Sequence, residues 1–262
     1  MFTTLPVAAE MGAFTDRCVI VTGAAGGIGT ALSERFAVAG ASLVLADVNE
    51  EGLTKLAEKL EGDYRAPVVT SAGDLSTPEA ALQMVHKAVS VFHRLDVLVN
   101  NAGGGVILPT LKHTEDTLQA TINRNLWSAL HSTLAALPVM LEAGKGRVIF
   151  IGADSVRNGL EDHAIYNAAK GGVHAVAGSL SREFGKQGVT FNVVAPPAVR
   201  SPEFERFLRE QPELTQRFVS QIPMGRPAEM SEVAAAVEFL AGDEAGFING
   251  QVIGVNGGST LA

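Results

Sequence analysis

Short runs of consecutive apolar residues alternate along this chain with longer stretches in which apolar positions recur every three or four residues. The runs are "RCVIVTG", "ASLVLAD", "APVVTSAGDL", "DVLVNNAGGG", "GRVIFIGAD", "VTFNVVAPP" and "GQVIGVNGG". Strands that are apolar at every position, not every second one, are buried on both faces, which points to a parallel sheet covered by helices. The stretches between them carry helix punctuation: Gly40 closes "GTALSERFAVAG", and a proline opens "PEAALQMVHKAVSVFHRL". Neither a repeat nor a proline-rich linker interrupts the alternation. The pattern predicts an α/β fold: a single doubly wound parallel sheet with helices on both faces, spanning residues 16–262 after a loose tail over 1–15. One segment breaks the rhythm. "SPEFERFLREQPELTQRFVSQIPMG", residues 201–225, is a long insertion after the sixth strand, where it is expected to serve as a lid.

Composition narrows the function classes. With 262 residues, 47% hydrophobic and 18% charged, the chain can bury a large core and is not a disordered protein. A net charge of −8 without a Lys/Arg run argues against nucleic acid as a partner. The single cysteine, Cys18, has no internal disulfide partner and suits a reducing compartment. The first residues lack a basic n-region, and no apolar run is long enough to span a bilayer. The expectation is a cytoplasmic enzyme or binding protein with a small-molecule partner, no membrane and no metal.

The stretch "VTGAAGGIG" follows the first strand directly and opens a helix. Gly23, Gly27 and Gly29 permit a tight turn and a close backbone approach to a pyrophosphate, while the free N–H groups of the helix start face its charge. Asp47 ends the second strand about twenty residues on, where a carboxylate accepts hydrogen bonds from ribose hydroxyls. The same carboxylate repels a 2′-phosphate, and neither the glycine turn nor "DVNEE" offers a compensating cation, so NAD is expected over NADP.

Tyr166 and Lys170 stand four apart at the start of another helix, on one face. Oxidising an alcohol requires a base for the hydroxyl proton, and a free tyrosine, with a pKa of ~10, is a poor one near neutrality. A neighbouring ammonium, with the positive nicotinamide ring, favours the phenolate, and lowering that pKa by about three units corresponds to roughly 4 kcal/mol of differential interaction. The tyrosine then titrates near working pH, where acid–base catalysis is most effective.

Taken together, these motifs resemble the short-chain dehydrogenase/reductase family: Thr22, Gly23, three residues, Gly27, Ile28, Gly29; "GDL" with Asp74 and Leu75; "NNAG" with Asn101, Ala102 and Gly103; "YNAAK" from Tyr166; and a C-terminal segment ending in "GQVIGVNGG". The resemblance implies a Rossmann-type fold, assembly as a homotetramer or homodimer, and hydride transfer between a nicotinamide and a secondary alcohol or ketone. It implies that Asp74 contacts the adenine, that Asn101 to Gly103 shape the cofactor site, that Lys170 binds the nicotinamide ribose and that Asn125 holds a proton-relay water. It also implies backbone contacts from Val199, and Ser201 in place of a threonine hydroxyl, at the carboxamide.

Two departures stand out. Thirteen residues before the tyrosine, where the family carries a serine, stands Ala153, and loss of such a donor costs on the order of a hundredfold. Ser155 is the expected replacement if the loop bulges, with Asp154 as an alternative partner for a substrate hydroxyl. Pro197 replaces a glycine and stiffens its loop. Phe204, Phe207, Leu208 and Phe218 in the lid suit a ring-shaped substrate. His163 is read first as a solvated loop histidine and second as a substrate neighbour. "NNAGGGVILPTL" and "YNAAKGGVHAV" are similar to enzymes that oxidise aromatic cis-dihydrodiols, which makes a cyclic alcohol or cis-diol the expected substrate. The alternatives are a 3-oxoacyl thioester reductase, a lyase on the same fold, and a catalytically silent NAD sensor, which the missing serine keeps open; the spacing in "YNAAK" disfavours an enoyl reductase.

Overall fold

In the computed structural model, which describes residues 12–261, the seven apolar runs form one parallel sheet. Its strands are β1 (Cys18–Thr22), β2 (Ser42–Asp47), β3 (Val68–Ala72), β4 (Val97–Asn100), β5 (Gly146–Ile151) and β6 (Val189–Ala195). After β6 a two-residue ribbon pairs β7 (Val199–Arg200) with β8 (Ala228–Glu229), and β9 (Val252–Gly254) completes the main sheet. The order β3-β2-β1-β4-β5-β6-β9 shows why the runs are apolar throughout. Val19 and Val21 of β1 join the core on one face, and Cys18 and Ile20 join the core on the other.

On the first face lie α1 (Gly27–Val38), α2 (Glu50–Tyr64) and, from the far end of the chain, α10 (Met230–Ala241); Leu32, Leu53 and Val237 are fully buried there. On the second face lie α3 (Pro78–Lys87), α5 (Ser128–Glu142) and α7 (Ala164–Phe184), approached through α4 (Glu115–Ile122) and the four-residue α6 (Ser155–Asn158). From β1 the chain winds outward to β3, then returns to place β4 on β1's other side. That reversal opens a crevice at the carboxyl ends of β1 and β4, the place where open α/β sheets bind ligands.

The segment 201–225 forms α8 (Pro202–Glu210) and α9 (Pro212–Ser220), with the β7–β8 ribbon closing its base. Each helix begins at a proline, and the Ser201 hydroxyl caps α8 by accepting from the Phe204 N–H (3.2 Å). Phe14 lies inside the expected loose tail yet is only 1% exposed; its N–H donates to the Ala39 carbonyl and its ring stands edge-on to Phe36 at 5.0 Å. An aromatic that finds a core does not stay in solvent, so the packed domain starts earlier than residue 16. The rest of the expected tail, residues 1–11, lies outside the described residues.

Candidate active site

The cofactor end is shaped by backbone. Gly23 adopts φ +62°, and a Cβ at Gly29 would stand 2.0 Å from the Gly23 oxygen, so α1 presses directly on the turn. The N-cap, Gly26, has no side-chain cap and the first turn of α1 holds no acidic residue. The N–H groups of Gly27, Ile28 and Gly29 are therefore left for an anion, the donor set a pyrophosphate needs. Asp47 is aimed at this turn: its Oδ2 accepts from the Ala25 N–H and its Oδ1 from the Asn49 N–H, both at 3.0 Å. The Asn101 amide donates to the Thr22 and Gly23 carbonyls, and the Thr22 hydroxyl accepts from the N–H groups of Asn101 and Ala102. Asp74 caps the turn after β3 through the Ser76 N–H (2.9 Å), beside the buried Leu75. These residues fit a dinucleotide along the crevice.

Lys170 is 3% exposed, and its ammonium donates to the Ile151 carbonyl at 2.7 Å, 6.0 Å from the centre of the Tyr166 ring. Gly103 is the junction: a Cβ there would lie 2.8 Å from Asn125 Oδ1 and 3.1 Å from Lys170 Nζ. Asn125 is buried in a π-helical turn, Asn123–Trp127, where its amide donates to the Gly104 and Thr121 carbonyls and its Oδ1 accepts from the Gly104 N–H. Its side chain thus holds the loop after β4, and widened turns of this kind recur at functional sites. In this cofactor-free geometry burial dominates both titrating groups. It pushes the Tyr166 phenol up to about 12 and the Lys170 ammonium down to about 8. The ammonium alone does not bring the phenol into the working range, and the expected lowering includes the positive nicotinamide ring.

A cavity of ≈ 350 Å³ opens beside Tyr166. Ala153, Ile28, Val199 and Ser201 line it, and Ile107, Phe204, Phe218 and Ile222 give it apolar walls. Phe207 stands outside this lining and stacks on Phe218 (6.2 Å, 4° between planes), so the lid phenylalanines are an inner pair and a buttress.

The side chains around Ala153 differ from expectation. Ser155 borders the cavity, but its hydroxyl donates to Asn167 Oδ1 at 2.6 Å and the Asn167 amide returns a bond to its carbonyl. The hydroxyl is engaged within the protein beside Tyr166 and is not directed into the position of a serine at 153. Asp154 is fully buried, and its carboxylate accepts from Asn256 (2.8 Å), Thr260 (2.9 Å), Ser259 and Asn158, so it grips the C-terminal segment and is not a free partner for substrate. His163 is a correction to the solvated reading: it is 8% exposed, lines the cavity, and stands edge-on to both Tyr166 (6.0 Å) and Phe218 (5.3 Å). Burial, the largest influence, holds its imidazole below the ordinary value.

Two further contacts escaped the sequence reading. Thr22 organises Asn101 and Ala102 through one hydroxyl. His174 receives the Ala153 N–H at 3.4 Å, and burial reinforced by Arg157 and Lys170 pushes it down to about 4, so it stays a neutral acceptor. Gly152 permits this contact, since a Cβ there would lie 2.3 Å from His174 Nε2. The helical spacing of Lys170 and His174 was the available signal. Among the described residues no cluster of His, Cys, Asp or Glu is arranged for a metal, and no helix is long and apolar enough to cross a membrane.

A family model described as enoyl-(acyl carrier protein) reductase matches residues 23–260. The chain is 51% identical over 242 residues to a 2,3-dihydroxy-2,3-dihydro-p-cumate dehydrogenase of Pseudomonas putida, covering 92% of this chain and 93% of that one. It is 34% identical over 258 residues to a 1,6-dihydroxycyclohexa-2,4-diene-1-carboxylate dehydrogenase of Acinetobacter baylyi, covering 94% and 97%. The crystal structure of a levodione reductase superposes with a TM-score of 0.88 at 30% identity, covering 94% of this chain and 98% of that one.

Proposed function

This chain belongs to the short-chain dehydrogenase/reductase family, oxidoreductases that exchange hydride between a nicotinamide dinucleotide and an alcohol or ketone carbon, and on that premise we propose that it oxidises a cis-diol of a cyclohexadiene ring to a catechol with NAD as acceptor. The observation that carries the reading is one cavity of ≈ 350 Å³ lined by Tyr166 together with the apolar Ile107, Phe204, Phe218 and Ile222, sized for a single substituted ring beside the nicotinamide. The relatives that act on ring dihydrodiols support the substrate class. Restoring aromaticity makes the oxidation strongly favourable.

When bound, the dinucleotide supplies a hydride acceptor and a positive ring. The glycine turn and the uncapped start of α1 hold its pyrophosphate. Asp47 accepts from the ribose hydroxyls and repels a 2′-phosphate, which favours NAD, with no cation at the turn to offset it. Tyr166 takes the proton of the reacting hydroxyl, and Lys170, held on the Ile151 carbonyl, stabilises the phenolate as it forms. Asn125 fixes the Gly104 loop against which the substrate rests, and Ser155 acts as a positioning residue through Asn167. Assembly as a homodimer or homotetramer is part of the proposal, supported by the half-exposed Trp127 and Leu134 around α5. A reducing, cytoplasmic setting is supported by Cys18, which is buried and unpaired.

The test is NADH formation from NAD with cis-dihydrodiols of benzoate and cumate, with NADP and saturated cyclic alcohols alongside. Diol-dependent NADH, with NADP at least tenfold poorer, is the expected result. Tight NAD binding without turnover of any diol would overturn the reading in favour of a sensor or a reductase of other carbonyls.

A further inference from the structure

Ala153 leaves the cavity without the side-chain hydroxyl its relatives would place there, so the remaining polar groups decide how substrate oxygens are read. Three buried polar side chains other than the candidate base line the cavity: Asp154, Ser155 and His163. Asp154 already accepts four hydrogen bonds, and the Ser155 proton goes to Asn167. His163 differs. Its Nδ1 lies 2.6 Å from the Glu161 carbonyl, which can only accept, so Nδ1 carries the proton. The ring is neutral, because burial outweighs the carbonyl bond and the Asp162 charge that favour protonation. Nε2 is then an acceptor, and among the described residues the bond this ring makes is the one at Nδ1.

The ring has little freedom to turn. It sits at the N-cap of α7, three residues before Tyr166 and on the same side of the helix start, wedged edge-on between the tyrosine and Phe218 of the lid. A fixed acceptor beside the group that receives the reacting proton matches a ligand bearing two adjacent hydroxyls on one side of a ring.

We propose that His163 Nε2 accepts the hydrogen bond of the non-reacting hydroxyl of a vicinal diol, and so makes His163 a specificity-determining residue that separates diols from mono-alcohols. The proposal rests on the diol-dehydrogenase reading above. An acceptor enclosed by a ligand that lacks the donor is left unpaired, and such a mismatch discriminates by about tenfold or more.

The experiment compares binding of catechol, which presents both adjacent oxygens, and phenol, which presents one, to the full-length protein with NADH present. It uses the parent, His163→Phe, which keeps a ring for the edge contacts, and His163→Gln, which restores an acceptor. The expected result is a parent that binds catechol about tenfold more tightly than phenol, a His163→Phe variant in which catechol weakens to the level of phenol while phenol is unchanged, and partial recovery in His163→Gln. A catechol preference that survives His163→Phe, an equal loss for both ligands, or a parent with no preference would overturn the proposal. Diol turnover by the parent, measured in parallel, separates the two claims: turnover with a preference indifferent to His163 leaves the function standing and removes this residue, whereas a His163-dependent preference without turnover does the reverse.

Discussion

At the cofactor end of the crevice the working surface is backbone, whereas at the substrate end it is side chain. The turn after β1 is dictated by what cannot be there: a Cβ at Gly29 has no room against the Gly23 oxygen, and one at Gly27 would stand 2.9 Å from Pro202. The substrate cavity is dictated by what is there, drawn from the loop after β4, the segment around Ala153 and His163, the lid, and Ser259 near the end of the chain. Exclusion is local and tolerates little change of sequence. A cavity assembled from distant segments depends on no single turn in this way.

The largest effect tests the substrate end. Tyr166→Phe should lower kcat/KM by roughly 10³-fold with NAD affinity changed less than about threefold, since positioned acid–base groups contribute on the order of 10²–10⁴. The same pair of proteins sharpens the electrostatics, because subtracting the tyrosinate absorbance of the variant isolates Tyr166. In the absence of cofactor its ionisation should appear at about 12. The folded protein then holds a proton that the unfolded chain has released, so this residue's contribution to stability is lost as pH rises from 10 toward 12. Lys170 has the opposite sign: between about 8 and 10.5 the unfolded chain binds more protons, so stability should rise with pH there, and in Lys170→Met that rise should vanish.

Breaking the other end is the next largest. Gly29→Ala forces backbone apart and should cost about 1–3 kcal/mol of stability, a melting shift of a few degrees, with NAD affinity reduced more than about tenfold. Calorimetry and NAD titration read both. Asp154→Asn follows: an amide facing amide and hydroxyl donors should cost about 1–3 kcal/mol and lower kcat about tenfold while NAD affinity is retained, because the defect is confined to the substrate side. Ser155→Ala should be the mildest, a change of kcat below about threefold, since the hydroxyl serves Asn167. A hundredfold loss there would return Ser155 to direct contact with substrate.

What the sequence disclosed follows the same division. The tight turn of Gly23, Gly27 and Gly29 with Asp47 beside it was legible because the constraint acts over one turn and one strand, and the insertion because it interrupts a regular alternation. The inward placement of Phe204 and Phe218 and the outward placement of Phe207 depend on how α8 and α9 cross, which spacing alone does not determine. Asp154, Ser155 and His163 were misjudged for a different reason. A hydroxyl, a carboxylate and an imidazole each have several partners in reach, and the ones that win are Asn167, the C-terminal segment and the Glu161 carbonyl. Hydrogen-bond allocation is settled by tertiary packing, so residue type near a motif is a poor guide to it. Phe14, buried beyond the expected domain boundary, is the same lesson in apolar form.

The grip of Asp154 on Asn256, Ser259 and Thr260 spans 102 to 106 residues of chain and bears on how the protein is made. These donors are synthesised only after the whole stretch that separates them from the carboxylate they satisfy. A nascent chain can complete the sheet through β6 while Asp154 still lacks the groups that make its burial tolerable. The loop that carries Ala153 is therefore set only once residues 256–260 are in place, so the substrate site closes later than the sheet through β6. Replacing Asn256, Ser259 and Thr260 by alanine should act on that closing step first, leaving a folded protein that binds its dinucleotide and turns over slowly.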